Sequence, residues 1–248
     1  MADVLLSEDP GCTALDPAEV RDDFPALERN VNGHPLAYLD NTAATLKPRA
    51  VIDALAAHYG QRPANVHRGI HLLSEEATDH YEAARNTVAR FVNAPRPEEL
   101  VFTRNTTESI NLIAYSWALP RLKPGDEILC TVMEHHANLI PWQIIAQQTG
   151  CTLQFAKVLP SGQLDLEDWH AKLSERTKLA TFAHVSNVLG VINPVVDLTR
   201  AAHAVGALVH VDAAQSVPHM PVDVQAIGCD LLSFSAYKLL GPFGVGAP

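Results

Sequence analysis

Leu231-Leu232-Ser233-Phe234-Ser235-Ala236-Tyr237-Lys238, read together with Val209-His210-Val211-Asp212-Ala213-Ala214-Gln215, decides the fold. Each run is apolar and strand-like, and each delivers an ionisable residue just past its end. Lys238 stands 26 positions after Asp212. A lysine and an aspartate so placed are what a pyridoxal phosphate (PLP) site needs. The amine forms a Schiff base with the aldehyde, and the carboxylate pairs with the pyridinium nitrogen and keeps the ring an electron sink.

Outward from these two runs the chain alternates. Strand-like segments fall at Leu100–Phe102, Glu127–Val132, Leu153–Val158, Leu179–Phe182, Leu208–Val211 and Leu231–Phe234. Helical stretches at Thr107–Trp117, Leu139–Gln148, Leu166–Leu173 and Leu198–Val205 separate most of them. Continuous apolar strands alternating with helices predict an α/β protein, a three-layer αβα sandwich around a mainly parallel sheet. Nearer the start, Asp16-Pro17 reads as an N-cap and first helical residue opening a helix to about Phe24. Leu36–Leu39 reads as a short strand, and Pro48–Tyr59 and Ser74–Val92 as amphipathic helices. Residues 1–35 are expected to form an N-terminal arm or part of a small domain, and residues 36–248 a cofactor-binding major domain.

The chain has 248 residues, 47% hydrophobic and 19% charged, which suits a globular protein with a sizeable core. A net charge of −10 argues against nucleic acid and anionic membranes as partners. Apolar runs stop well short of a membrane span, and Met1–Leu15 lacks the apolar core of a secretion signal. Cys12, Cys130, Cys151 and Cys229 contain no CxxC pair, which predicts reduced thiols and a cytoplasmic chain. Cys130, Cys151 and Cys229 read as buried structural thiols and Cys12 as a terminal one. The twelve histidines are scattered without ligand spacing, so no metal site is expected.

Chemistry in such sheets gathers at the carboxyl ends of the strands. Asp212, Lys238, Glu134-His135-His136, His184 and Thr103-Arg104 each follow a strand-like run, which points to one site. Phe102-Thr103-Arg104-Asn105-Thr106-Thr107-Glu108 leads into a helix whose free N–H groups and dipole suit a phosphate, with hydroxyls from Thr106 and Thr107. Alone, that segment reads first as an ordinary helix cap. Glu108 is expected to point away from a bound phosphate. His135 reads either as a structural histidine or as an imidazole lying on a cofactor ring and exchanging protons. Asp212 and Gln215 read either as helix-cap residues or as groups facing one ring. Ser235 and Tyr237 could each donate to a phosphate, and Gly241, Gly244 and Gly246 would let backbone approach closely.

Together these segments resemble fold-type I PLP enzymes of the class V aminotransferase family, and most of all cysteine desulfurases of the SufS type. The runs that carry the resemblance are Tyr38–Ala44, Ala64–His71, Phe102–Asn111, Met133–Gln143, His184–Gly190, Val211–Gln215 and Ser235–Gly246. The resemblance implies Lys238 as Schiff-base lysine, His135 as ring-stacking acid/base, Asp212 as pyridinium partner and Gln215 as donor to the phenolic oxygen. It further implies Thr107 and Ser235 as phosphate ligands, Asn187 near the phenolic oxygen and substrate carboxylate, and His67 at the substrate entrance. The implied reaction takes sulfur from L-cysteine. It leaves L-alanine and an enzyme persulfide, which a scaffold or acceptor protein collects for iron–sulfur cluster assembly. A homodimer is implied for a complete protein.

The match has two departures. Ala236-Tyr237 stand where the family carries Gly-His, which predicts a looser phosphate grip and backbone strain if φ at Ala236 is positive. The family also continues well beyond the position of Pro248, through the nucleophilic cysteine, a carboxylate-binding arginine and most of the small domain. The chain is therefore expected to be a fragment lacking that C-terminal domain, poorly folded and inactive alone. Selenocysteine lyase, another class V activity, or a non-catalytic PLP-domain remnant are the alternatives.

Overall fold

The computed structural model of the chain describes residues 16–248; Cys12 and the rest of Met1–Leu15 lie outside that range. Asp16 caps helix α1 (Pro17–Arg21) by accepting from the Ala18 N–H, with Pro17 in the first turn. The helix stops at Arg21, short of Phe24, and a separate 3₁₀ turn follows at Pro25–Glu28. Strands β1 (Asn30–Val31) and β2 (His34–Pro35) form a hairpin. Its turn, Asn32-Gly33, has positive φ at both residues, 54° and 81°. An Asn-Gly pair tolerates that conformation best. The strand expected at Leu36–Leu39 is not formed. The backbone there runs on without a sheet neighbour, and Leu39 is 93% exposed. Helices α2 (Arg49–Gln61) and α3 (Leu72–Phe91) follow.

The remaining elements build one six-stranded sheet. In chain order they are α4 (Thr106–Ile113), β3 (Glu127–Thr131), α5 (Ile140–Thr149), β4 (Thr152–Ala156), α6 (Leu166–Lys172), β5 (Thr177–Ala183), α7 (Val195–Ala204), β6 (Leu208–Asp212), α8 (Val224–Ile227), β7 (Leu231–Ser235) and β8 (Gly246–Ala247). The strand order is β4-β3-β5-β6-β7-β8. All pairs are parallel except β7–β8, which is antiparallel. The expected α/β architecture with a mainly parallel sheet is thus the observed one.

Side chains alternate across the sheet into two cores. On one face Leu129, Phe182, Val209, Val211 and Phe234 pack with Trp169 of α6, Leu198 of α7 and Ile227 of α8. On the other, Ile128 and Leu179 pack with Ile110 of α4 and with Trp142 and Ile145 of α5. Coverage on both faces explains why the strands read as continuous apolar runs.

Leu100–Phe102 is not a strand either. Its neighbour β8 is only two residues long, and Thr103 alone meets it, through Thr103 N–H to the Gly246 carbonyl at 2.9 Å and the reverse at 2.7 Å. Gly246 sits where a Cβ would lie 2.6 Å from Cα of Asn105, the residue that caps α4. Main chain cannot yield as a flexible side chain would. Gly246→Ala is expected to cost about 1–3 kcal/mol and to push β8 off the start of α4. A lowered urea midpoint would register it, and an unchanged midpoint would show that this junction is loose.

Candidate active site

The carboxyl ends of β3, β5, β6 and β7 and the N-terminus of α4 converge on a cleft of about 430 Å³. Thr106, Thr107, His135, Asn187, Asp212, Gln215, Tyr237 and Lys238 line it, together with Ala137, Ala183, Val185 and Ala214. Eight of the ten residues singled out from the sequence therefore meet in one place. Ser235 lies just beneath, its hydroxyl 2.7 Å from the Thr106 N–H and 2.6 Å from the Thr106 hydroxyl. His67 is not among the lining residues. It sits at φ 60° on the α3 side, with Nε2 3.0 Å from Glu82 and its ring edge-on to Tyr81.

Asp212, at the end of β6, is buried, and its Oδ1 accepts from the Ala214 N–H at 2.9 Å. Its other oxygen has no protein donor among the described residues. Burial raises this carboxyl above its ordinary range, while the Ala214 N–H, Lys238 and His135 pull the other way. Lys238 closes the 3₁₀ turn after β7. Burial lowers its amine below the ordinary lysine value against a smaller opposing pull from Asp212. A desolvated lysine amine is more readily neutral and nucleophilic.

The turn that carries Lys238 is clamped. The Tyr237 carbonyl accepts from the Thr45 N–H at 3.1 Å, the Thr45 hydroxyl at 3.0 Å and Lys47 Nζ at 2.7 Å. Gln215 reaches the same segment, donating to the Thr42 carbonyl at 2.8 Å. These contacts, with 173 to 192 residues between partners, are the main part of the site that sequence reasoning missed. Loop polar residues such as Thr45 and Lys47 carry no periodic signal of their own.

His135 follows β3 and caps a 3₁₀ turn, its Nδ1 accepting from the Ala137 N–H at 3.0 Å. That bond leaves Nε2 to carry the proton of the neutral ring. Desolvation, Lys238 and His136 lower its pKa, and Asp212 opposes them. Glu108 turns away from the cleft, as expected, to bind Arg104. Ala236 is not among the residues with positive φ, so the strain foreseen there does not arise. His184, next to β5, is buried, its Nδ1 has no partner among the described residues, and it does not line the cleft. Cys130 and Cys151 are buried, Cys229 is half-buried, and none of the three lines the cleft. Among the described residues no group of three His, Cys, Asp or Glu is placed to hold a metal ion. No helix there is long and apolar enough to cross a membrane.

Beneath the cleft lies a buried polar row that the strand reading passed over. Thr181, His210 and Ser233 are completely buried, each between two apolar neighbours on its strand. His210 Nδ1 is 2.8 Å from the Thr181 hydroxyl and Nε2 is 2.9 Å from the Ser233 hydroxyl. Burial pushes the His210 pKa down to about 3. The unfolded chain, with an ordinary imidazole, then binds more protons between pH 6.5 and 3. Stability from His210 is present above pH 6.5 and lost as pH falls toward 3, by about 5 kcal/mol over the whole range. Glu134 acts oppositely: burial raises it to about 7, so its contribution is lost as pH rises from about 4.5 to 7. Urea midpoints are expected to fall below pH 4.5, where His210 acts unopposed. His210→Gln should flatten that fall, and an equal fall in the variant would assign acid lability elsewhere.

A lysine and an aspartate facing one cleft at the carboxyl edge of a doubly covered parallel sheet, beside the hydroxyl-bearing N-terminus of α4, fit a planar cofactor bearing an aldehyde, a ring nitrogen and a phosphate. Residues 37–247 match the aminotransferase class-V family, and the chain belongs to it. Members of this family depend on PLP. The curated relatives are named as cysteine desulfurases. A probable cysteine desulfurase of Synechocystis is 55% identical over 92% of this chain and 54% of that protein. A cysteine desulfurase of Cronobacter sakazakii is 50% identical over 92% of this chain and 56% of its own. Among solved structures, the apo cysteine desulfurase of Thermococcus onnurineus superposes with a TM-score of 0.88 at 43% identity, over 95% of this chain and 57% of that one. The chain thus spans about half the length of the relatives it matches.

Proposed function

We propose that this chain is the PLP-binding domain of a cysteine desulfurase, a protein that takes sulfur from L-cysteine and leaves L-alanine. The observation that carries the reading is that Lys238, Asp212 and His135 line one cleft. When bound, PLP supplies an aldehyde that condenses with amines and a ring that accepts electrons from Cα. This chain's residues do the rest. Asp212 offers its free oxygen to the ring nitrogen. Thr106 and Thr107 at the start of α4 and Ser235 at the end of β7 would hold the phosphate, with Tyr237 standing where the family carries histidine. Gln215 and Asn187 flank the phenolic oxygen, and Asn187 also faces the substrate carboxylate. His135, which lines the cleft, could exchange a proton at Nε2 with a bound ring or substrate. Lys238 would hold the cofactor aldehyde through its amine, and the same amine could move a proton at Cα. His67 belongs to the entrance.

The sulfur-accepting thiol comes from outside the cleft described above, since Cys130, Cys151 and Cys229 do not reach it. A persulfide formed on that thiol would pass to a scaffold or acceptor protein for iron–sulfur assembly, and a homodimer would complete the site. The stretch up to residue 35 would be an N-terminal arm or part of a small domain beside the major domain, residues 36–248. The test is titration of the purified chain with PLP, then with L-cysteine, L-serine or L-aspartate. Binding of PLP and a spectral change with L-cysteine alone supports the reading; equal response to all three amino acids reduces it to the family level.

A further inference from the structure

Both carboxyl oxygens of Glu134 are enclosed by donors, although the residue lies beside an exposed loop. Oε1 accepts from the Thr131 hydroxyl and from the Ala183 N–H at 3.0 Å. Oε2 accepts from Asn138 Nδ2 at 2.7 Å. The orientation of the Asn138 amide is forced, because its Oδ1 accepts from the Trp142 indole, which can only donate, at 2.9 Å. The Thr181 hydroxyl gives its one proton to that same Oδ1 at 2.8 Å. His210 Nδ1–H must therefore donate to Thr181, and Ser233 to His210 Nε2. Every donor in the row from Ser233 through His210, Thr181 and Asn138 points toward Glu134. The carboxyl thus joins three places: the end of β3 at Thr131, the end of β5 at Ala183, and the 3₁₀ turn at Asn138, which is itself bonded to Trp142 of α5. His135 is the next residue, midway between the first and last of these along the chain.

We propose that Glu134 is a positioning residue, whose carboxyl ties the His135 loop to β5 and α5 and so holds the imidazole over the cleft between Asp212 and Lys238. The inference rests on His135 acting at the cofactor ring as proposed above. Glu134 itself touches neither the cleft nor the reacting atoms.

Glu134→Gln keeps the shape but sets its new N–H₂ against the Asn138 N–H₂, which cannot turn over. Glu134→Gln/Asn138→Asp reverses that one bond and satisfies every other: the new carboxylate still accepts from Trp142 and Thr181. The measurement is the NMR titration of His135 in the whole chain without PLP, with PLP binding recorded separately. The charged groups facing His135 are Lys238, Asp212 and His136. In the parent chain His135 is expected to titrate below 6.5. In Glu134→Gln, with the loop released, it should rise toward 6.5, and in the double variant it should return to the parent value. An unchanged titration in folded Glu134→Gln overturns the proposal. If Glu134→Gln does not fold, the double variant decides. Parent-like titration there supports the tie. A raised titration overturns it, as does failure to fold, since its hydrogen bonds are complete. Failure of the parent to take up PLP would sink the functional reading while leaving the His135 titrations readable.

Discussion

Lys238→Ala is expected to abolish covalent capture of PLP. The parent chain, incubated with PLP and reduced with borohydride, should carry one cofactor per chain by mass spectrometry, located on the peptide containing Lys238. The variant should carry none there. The reason is chemical: trapping requires an amine that is neutral at the working pH, and burial lowers Lys238 below ordinary lysines. Surface lysines, still protonated, react slowly and at scattered positions. Folding is not expected to suffer. The Lys238 side chain makes no hydrogen bond or ion pair with the protein among the described residues, and its turn is held by main-chain and clamp contacts at Ala236 and Tyr237. Capture should rise with pH and reach half its limit below the ordinary lysine value. Equal, site-specific capture by Lys238→Ala would remove the lysine from its role and with it the reading of the cleft.

Trp169→Ala should cost about 3–5 kcal/mol, enough to take a third or more of the stability of a typical domain. Trp169 on α6 is wholly buried, with its ring edge-on to Phe182 of β5 at 5.3 Å between centroids. It is the largest side chain in the core that backs β3 and β5. Its indole N–H, however, has no partner among the described residues. Trp169→Phe removes that unpaired donor while keeping most of the apolar volume, so the loss should be only about 1 kcal/mol. Urea unfolding of the two variants checks both. If they fall equally, the indole N–H has a partner in solution and the argument from burial fails.

Much of this protein was legible in one dimension. Parallel strands buried on both faces must be apolar throughout, so Leu179–Phe182, Leu208–Val211 and Leu231–Phe234 announced themselves, and so did the residues just past their ends. Asp212, Lys238 and His135 stand out together because each follows a strand-like run, and the carboxyl ends of parallel strands share one edge of the sheet. Strand length and partnership were harder to read. Leu36–Leu39 and Leu100–Phe102 have strand composition but lack a neighbour to pair with, and pairing, not propensity, makes a strand.

Contacts between distant parts of the chain were beyond sequence reading altogether. Pattern carries information over one or two turns, whereas Thr45 and Lys47 meet the Tyr237 carbonyl across about 190 residues. The same holds for the row from Ser233 to Glu134, which crosses four elements. By itself the sequence determined the α/β class, the lysine, the aspartate and their common edge of the sheet, because those follow from local burial. Only the tertiary structure decided which polar groups hold them in place, because a hydrogen bond depends on distance and direction between elements that the order of residues does not record.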